Sequence, residues 1–310
     1  MILCCGEALI DMLPRESADG EVLFAPHCGG AVYNTAIALG RLGAPTGFVS
    51  GISTDFFGSM LLAGLEDARV ETGGVILSGR PTTLAFVRLV DGQAAYAFHD
   101  ENTAGRMLAP ADMPVIDQDV AAMFFGGISL AVEPCGAAYE ALMLREASRR
   151  PVMIDPNIRP GFIRDEAAYR ARMARMIGAA TIVKLSDEDL HWLEGPGEEG
   201  DLARAILQRG PSVVLVTRGG QGAGAVFSGG EIWLPARKVA VVDTVGAGDT
   251  FNAGFLASLQ ADGALTFDAL RAPGRELLGR ALELGMAAAA VTVSRAGANP
   301  PWRSELGVKA

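Results

Sequence analysis

Short apolar runs and stretches of helix length alternate along this chain from end to end, and that alternation restricts its fold more than any other feature. Met1–Cys5, Gly47–Gly51, Met123–Phe125, Val152–Ile154, Thr181–Val183, Val213–Val216 and Val239–Val242 read as strands. Between them lie helical stretches such as Tyr139–Ser148, Glu166–Ile177 and Asp201–Gln208. The strand runs are continuously apolar, as expected of strands buried on both faces. A mostly parallel sheet flanked by helices satisfies that demand, so the expected fold class is α/β. The 310 residues suit two domains of about 150 residues or one large α/β domain. With no long linker and no internal repeat, one domain over 1–310 is expected.

Composition excludes several function classes. There are 26 basic against 36 acidic residues, a net charge of −10, with no basic cluster. Such a chain is a poor partner for nucleic acid or an anionic membrane surface. The longest apolar stretch, Ala121 to Val132, falls short of the roughly 20 residues that span a bilayer. The start, MILCCGEALIDML, carries Glu7 and Asp11 and no basic region, unlike a secretory signal; a cytoplasmic protein is expected. Cys4, Cys5, Cys28 and Cys135 have neither metal-site nor disulfide-framework spacing, and His27, His99 and His191 are scattered. Glycine, 39 of 310, is nearly twice the average of about 7%, which points to tight turns and close backbone approaches.

One region breaks the alternation. Thr83–Val90 and Tyr96–His99, joined through Asp91-Gly92, read as a β-hairpin. Leu13–Ala25 adds another strand or two. Together, segments at about 12–28 and 80–106 form a small β lid or an oligomerisation sheet.

The most informative stretch is Asp243-Thr-Val-Gly-Ala-Gly-Asp-Thr-Phe-Asn-Ala-Gly-Phe255. Read as following the strand Val239–Val242 and leading into a helix near Thr250, it places Gly246, Ala247 and Gly248 at a strand-to-helix turn. Unpartnered amides and the helix dipole can cradle an anion there without a lysine. Asp249, on the first helical turn, is placed to take a proton from an attacking hydroxyl, although an acid there also suits a helix cap. A second stretch, Gly29-Gly-Ala-Val-Tyr-Asn-Thr-Ala-Ile-Ala-Leu-Gly-Arg-Leu-Gly43, opens on a glycine pair and continues as a helix. Its Asn34 can share a sugar-hydroxyl site with the Gly30 backbone. The segment Val216-Thr-Arg-Gly-Gly-Gln-Gly222 does not match the GxGxxG dinucleotide spacing, and no GxxxxGK[ST] phosphate loop is present.

These two stretches resemble the signature motifs of the ribokinase-like carbohydrate kinases, the PfkB family, over residues 6 to about 302. The resemblance implies a ribokinase-like sheet, Asp249 as catalytic base and Gly246–Gly248 as anion hole. It implies sugar contacts from Asp11, Gly29, Gly30, Asn34 and Phe98. Val216-Thr-Arg-Gly-Gly-Gln-Gly222 looks like the family's nucleotide segment, and with it Lys184, Ser186, Thr217, Gly219, Gly222 and Gly248 are expected on the ATP side. Asp155-Pro-Asn-Ile-Arg159 resembles the DxNxR segment of sugar kinases, which puts Arg159 near the substrate and the moving phosphate. The chain departs from the family's NxxE segment, associated with Mg²⁺, in reading Ser186-Asp-Glu-Asp189. Asp189 takes the glutamate's place, and Asp187 or Glu188 offers the same chemistry. The resemblance further implies a K⁺ site from Asp243, the Val245 carbonyl and the backbone of Ser294 to Gly297.

ATP-dependent phosphorylation of a sugar's primary hydroxyl is therefore expected. GEALID, DENTAGRML (Asp100–Leu108) and DPNIRP look closest to bacterial fructokinases, with 2-keto-3-deoxygluconate kinases as the alternative. A non-catalytic sugar-responsive regulator is disfavoured by the intact base and anion hole. For a sugar acid, the candidate cations are Arg88, Arg106 and protonated His99. Family analogy suggests a homodimer through the lid sheet.

Overall fold

The computed structural model describes residues 1–90 and 93–307, and the side chains of 87–96 fall outside that description. The Asp91-Gly92 turn and the side chain of Arg88 therefore lie outside the described residues.

β1 (Ile2–Cys5) is followed by β2 (Leu9–Glu16), β3 (Val22–Gly29), α1 (Ala31–Arg41) and β4 (Thr46–Val49). Next come β5 (Gly51–Ser53), α2 (Phe56–Asp67), β6 (Val70–Glu71), β7 (Ile76–Ser78), β8 (Leu84–Val90) and β9 (Gln93–His99). The middle of the chain holds β10 (Ala122–Gly126), α3 (Cys135–Glu146), β11 (Val152–Asp155), α4 (Glu166–Ala179) and β12 (Ile182–Ser186). The last part holds α5 (Asp187–Glu194), α6 (Glu199–Leu207), β13 (Val213–Thr217), β14 (Ala223–Phe227), β15 (Gly230–Leu234), α7 (Ala247–Ala261), α8 (Phe267–Arg271) and α9 (Arg275–Val293).

Nine strands make one sheet in the order β15-β14-β13-β12-β11-β10-β1-β4-β6. It is parallel from β6 to β13 and antiparallel at β14 and β15. Period-two alternation divides the core. Ile2 and Cys4 face the side packed by α1, α2, α7, α8 and α9, while Leu3 and Cys5 face the side packed by α3 to α6. The mostly parallel sheet covered on both faces is thus the one expected from the apolar runs. No described helix is long and apolar enough to cross a membrane.

A separate four-stranded sheet, β3-β2-β8-β9, forms from the segments that break the alternation. Asp11 of β2 pairs with Ala85 of β8, which pairs with Phe98 of β9. That register sets Asp11 and Phe98 in one row across the sheet.

Two expectations need correction. Val239–Val242 is not a strand: the sheet edge closes at β15, and Val241 and Val242 are 64% and 63% exposed. The chain there crosses the surface irregularly, tied by the Val242 and Asp243 amides to the Val293 carbonyl. A β-branched run reads as a strand by composition, but strandhood needs a partner edge. The Gly246–Gly248 turn consequently follows a loop, and its helix begins at Ala247 rather than near Thr250.

α7 is buried along nearly its whole length between α1 and α9. A Cβ at Gly254 would lie 2.7 Å from Gly285 Cα and 2.8 Å from the Leu284 carbonyl oxygen, so these helices touch backbone to backbone. Gly254→Leu is expected to force them apart. Overpacking of about 1–3 kcal/mol corresponds to a fall in Tm of about 2–5 °C for a chain of this length, measurable by calorimetry; an unchanged Tm would contradict this packing.

Candidate active site

The site gathers at the carboxyl ends of the parallel strands, where open α/β sheets bind ligands. Glu7, Gly127, Asn157, Ser186 and Thr217, each at or just beyond the end of β1, β10, β11, β12 or β13, line one cavity of about 970 Å³. The amino end of α7 closes its floor. Gly246 takes a left-handed φ of 76° as N-cap, a conformation open to glycine, and directs the chain so that Ala247, Gly248 and Asp249 line the cavity. Amides of a first helical turn have no carbonyl partner within the helix, so this turn offers N–H donors and positive dipole to the cavity.

Asp249 is buried, and its carboxylate accepts a hydrogen bond from Asn34 Nδ2 at 2.9 Å. Its carbonyl accepts from Thr35 Oγ1 at 3.3 Å, which seats α1 against α7. Burial pushes the carboxyl pKa up to about 7; Asp155 and Glu7 add to the rise, while the Asn34 bond and Lys184 oppose it. Asn34 itself stands on the first turn of α1, its amide bonded to the Gly30 carbonyl at 2.8 Å. The opening amide of that helix is satisfied from outside: Glu7 Oε1 accepts from Ala31 N at 3.0 Å.

On the four-stranded sheet, Asp11 and Phe98 line the cavity, and burial raises the Asp11 pKa to about 6. Phe98 packs edge-on against Phe162 with centroids 4.3 Å apart. Gly29 does not line the cavity; a Cβ there would sit 2.2 Å from Asp11 Oδ2, so the glycine leaves room for the acid. Arg159 lines the cavity and donates to the Ile158 carbonyl at 3.0 Å.

On the opposite side, Lys184 donates from Nζ to Asp155 Oδ2 at 2.9 Å. A Cβ on Gly248 would lie 3.2 Å from that Nζ, so the ammonium stands directly beside the glycine turn. Burial disfavours its charge, but Asp155, Asp189 and Asp249 outweigh this and hold the pKa above the usual lysine value. Ser186 caps α5 by accepting from Asp189 N at 3.0 Å. Of the three acids Asp187, Glu188 and Asp189, all of which line the cavity, Asp189 is the buried one, accepting from Ile158 N at 3.0 Å. Burial and the neighbouring Asp155 raise its pKa.

Thr217 and Gly219 line the cavity; Gly222 does not. Gly222 adopts a φ of 113°, and a Cβ there would sit 2.0 Å from the Leu234 carbonyl oxygen, so this glycine shapes the turn between β13 and β14. Val245 lines the cavity and Asp243 stays outside it. The two Asp243 oxygens accept from Val245 N at 3.0 Å and Gly297 N at 2.9 Å, joining the two backbone segments expected around a monovalent cation. Among the described residues no cluster of three His, Cys, Asp or Glu side chains could hold a metal by itself.

Sequence reasoning passed over three residues. Glu7 caps α1, and its signal was a lone acid at the end of a buried strand. Asp155 and Asn252 form a bonded pair, Asn252 Nδ2 donating to Asp155 Oδ2 at 2.7 Å; a polar residue one turn after Asp249 in an apolar helix was the available signal.

The raised Asp249 pKa has a sign that can be checked. The folded state binds this proton more tightly than the unfolded chain does, so its stabilising effect is complete below about pH 4 and is lost as pH rises toward about 7. Asp249→Asn removes that loss. Its Tm relative to wild type is expected to climb between pH 4 and 7 and then level off; a constant difference across that range would refute the buried-acid assignment.

The family model for pfkB family carbohydrate kinases matches residues 1–305. A fructokinase from Rhizobium leguminosarum bv. trifolii is 53% identical over 266 residues, 86% of this chain and 82% of that protein. A fructokinase from Salmonella typhimurium is 35% identical over 268 residues, 83% of this chain and 84% of that protein. The crystal structure of a fructokinase with bound ATP from Xylella fastidiosa superimposes with a TM-score of 0.87 at 28% identity, covering 98% of this chain and 96% of that one. With the family model matched over nearly the whole chain and relatives of this identity and coverage, this chain belongs to the pfkB family of carbohydrate kinases.

Proposed function

We propose that this enzyme transfers the γ-phosphate of ATP to the 6-hydroxyl of fructose. One observation carries the reading. A buried carboxylate, Asp249, held by Asn34, stands at the amino end of α7 in a cavity that runs from Asp11 and Phe98 to Thr217 and Gly219. The two bacterial fructokinase relatives support the same sugar.

In this reading, fructose lies against Asp11, the Gly30 backbone, Asn34 and Phe98, with its 6-hydroxyl at Asp249. A base with a pKa near 7 is about half ionised at neutral pH and basic enough to take the hydroxyl proton as attack proceeds. Amides of Gly246, Ala247 and Gly248, with Lys184 beside them and Arg159 across the cavity, offset charge on the moving phosphoryl group. Ser186, Thr217 and Gly219 line the nucleotide side, and Gly222 shapes their turn. Such catalysis is mainly positioning and electrostatics. The oxygen donors fit a metal ion held chiefly by nucleotide phosphates: Mg²⁺ would meet Asp189, with Asp187 and Glu188 nearby, through water, and would supply further charge neutralisation. K⁺ would lie between Asp243, the Val245 carbonyl and the 294–297 backbone.

The four-stranded sheet serves as a lid over the sugar and as the face of a homodimer, consistent with Val22, 73% exposed, beside exposed Leu23 and Phe24 on edge strand β3. The proposed partners are sugar and ATP, with neither nucleic acid nor membrane. The cytoplasm is the proposed location, since its reducing conditions suit four free cysteines.

ADP release measured with ATP, Mg²⁺ and a sugar panel tests the assignment. Fructose is expected to give a higher kcat/KM than 2-keto-3-deoxygluconate, and a higher rate in K⁺ than in tetramethylammonium. Sugar-independent ADP release would mean hydrolysis of ATP by water rather than transfer to a sugar, and no ADP release would leave a binder rather than a kinase. Asp249→Asn is expected to lower kcat by about 10²–10⁴ while ATP affinity stays within a few-fold. The wild-type kcat/KM should fall on the acid side of about pH 7; near-normal turnover in the variant would remove Asp249 from its role.

A further inference from the structure

We propose that Asp100 makes the sugar end of the cavity selective for neutral sugars by holding Arg106, so that this guanidinium cannot serve a sugar carboxylate. The proposal rests on the sugar-kinase reading above and identifies what restricts its substrate class.

Asp100 follows β9 directly, two residues beyond Phe98, and both Asp100 and Arg106 line the cavity. Arg106 Nη1 donates to Asp100 Oδ2 at 2.9 Å, and each side chain is only 13% exposed. Arg106 Nε donates to the Glu133 carbonyl at 3.0 Å, so the guanidinium is fixed in direction as well as neutralised. The Asp100 carbonyl in turn accepts from Thr103 Oγ1 at 2.9 Å, which fixes the carboxylate's own backbone.

The other cations on the cavity wall are committed as well. Lys184 pairs with Asp155 at 2.9 Å, and Arg164 pairs at the exposed rim with Glu101 at 3.1 Å. Arg159 has no carboxylate partner among the described ion pairs, but it is assigned above to the moving phosphate. Meanwhile Glu7, Asp11 and Asp249 contribute acids to the same wall. A sugar carboxylate entering here would lose its hydration and find no cation in exchange, which is costly in a low-dielectric site. A neutral ketose needs only hydroxyl partners.

Were Asp100 uncharged, Arg106 would become an uncompensated cation in the same pocket, still held by the Glu133 carbonyl. Asparagine keeps the size of Asp100 and an oxygen to accept from Arg106, so Asp100→Asn changes charge with little change in shape. Selectivity achieved this way is a matter of withholding a partner from the competitor rather than adding one for the substrate.

Calorimetric binding of fructose and 2-keto-3-deoxygluconate to four proteins tests this: wild type, Asp100→Asn, Arg106→Gln and the double variant. The readout is the ratio of the two affinities. Asp100→Asn is expected to shift it toward the acid by roughly 10- to 100-fold. Arg106→Gln, which leaves Asp100 unpaired, should shift it toward fructose, and the double variant should return it near the wild-type ratio. A ratio in Asp100→Asn within threefold of wild type overturns the proposal. If Asp100→Asn fails to fold, an unchanged ratio in Arg106→Gln overturns it equally. A wild type that binds the acid as tightly as fructose also does so. Failure of the fructokinase reading shows separately, as absent phosphoryl transfer to fructose in the wild type.

Discussion

Asp155 ties three elements together with one buried charge. It ends β11, accepts Lys184 Nζ from β12 at 2.9 Å and accepts Asn252 Nδ2 from α7 at 2.7 Å. A third bond, from Asn157 N at 3.2 Å, turns the chain toward Arg159. Desolvating an acid and an ammonium together is offset only when geometry and hydrogen bonding are nearly complete, and removing one partner of such a pair typically costs about 3–5 kcal/mol. The helix that carries Asp249, the strand that carries Lys184 and the loop that carries Arg159 are thus aligned through one carboxylate. The spacing between acid, ammonium and glycine turn follows from it.

Around that anchor the fold concentrates carboxyl groups whose charged forms are penalised by burial. Burial raises the carboxyl pKa of Glu7, Asp11 and Asp249 alike. Each is kept in place by the two cores on either side of the sheet, which supply apolar burial at roughly 25 cal/mol per Å². The direct backbone contact of α7 with α9 at Gly254 and Gly285 is part of the same arrangement, because it leaves α7 no room to shift toward α9. Stability resides in the sheet and helices, and reactivity in the strand ends.

Much of the site was legible because its residues are unusual for where they stand. Glycines and an acid opening an apolar helix, as at Gly246–Asp249, mark a helix end suited to an anion, although an acid there also suits a helix cap. The same logic did not reach Asp100. In sequence, Asp100 and Glu101 entered only through the resemblance of DENTAGRML, with no role of their own, and Arg106 counted as a candidate cation for a sugar acid. Only the return of the chain to Glu133 and the placement of β9 beside the cavity convert it into a neutralised one. Gly29, Gly222 and Asp243 belong to the motifs but stand behind the cavity wall, shaping Asp11, the β13–β14 turn and the Gly297 loop respectively. Motif spacing identifies a neighbourhood; side-chain direction decides which members face inward.

By itself the sequence determined the α/β class, the two-sided burial of the central strands and the glycine turn that opens α7, because each follows from short-range pattern: hydrophobic period, glycine position and helix-end chemistry. It could not determine that Val239–Val242 stays outside the sheet, since an apolar run becomes a strand only if an edge is free to pair with it. Nor could it determine that Asn34 meets Asp249 across 215 residues, or that Lys184 meets Asp155 across 29. Those meetings depend on the order in which parallel strands assemble and on how α1 and α7 pack over them. The electrostatics of the site are therefore a property of the tertiary structure: burial and partners set the charge on each group, and both are decided by residues far away in the chain.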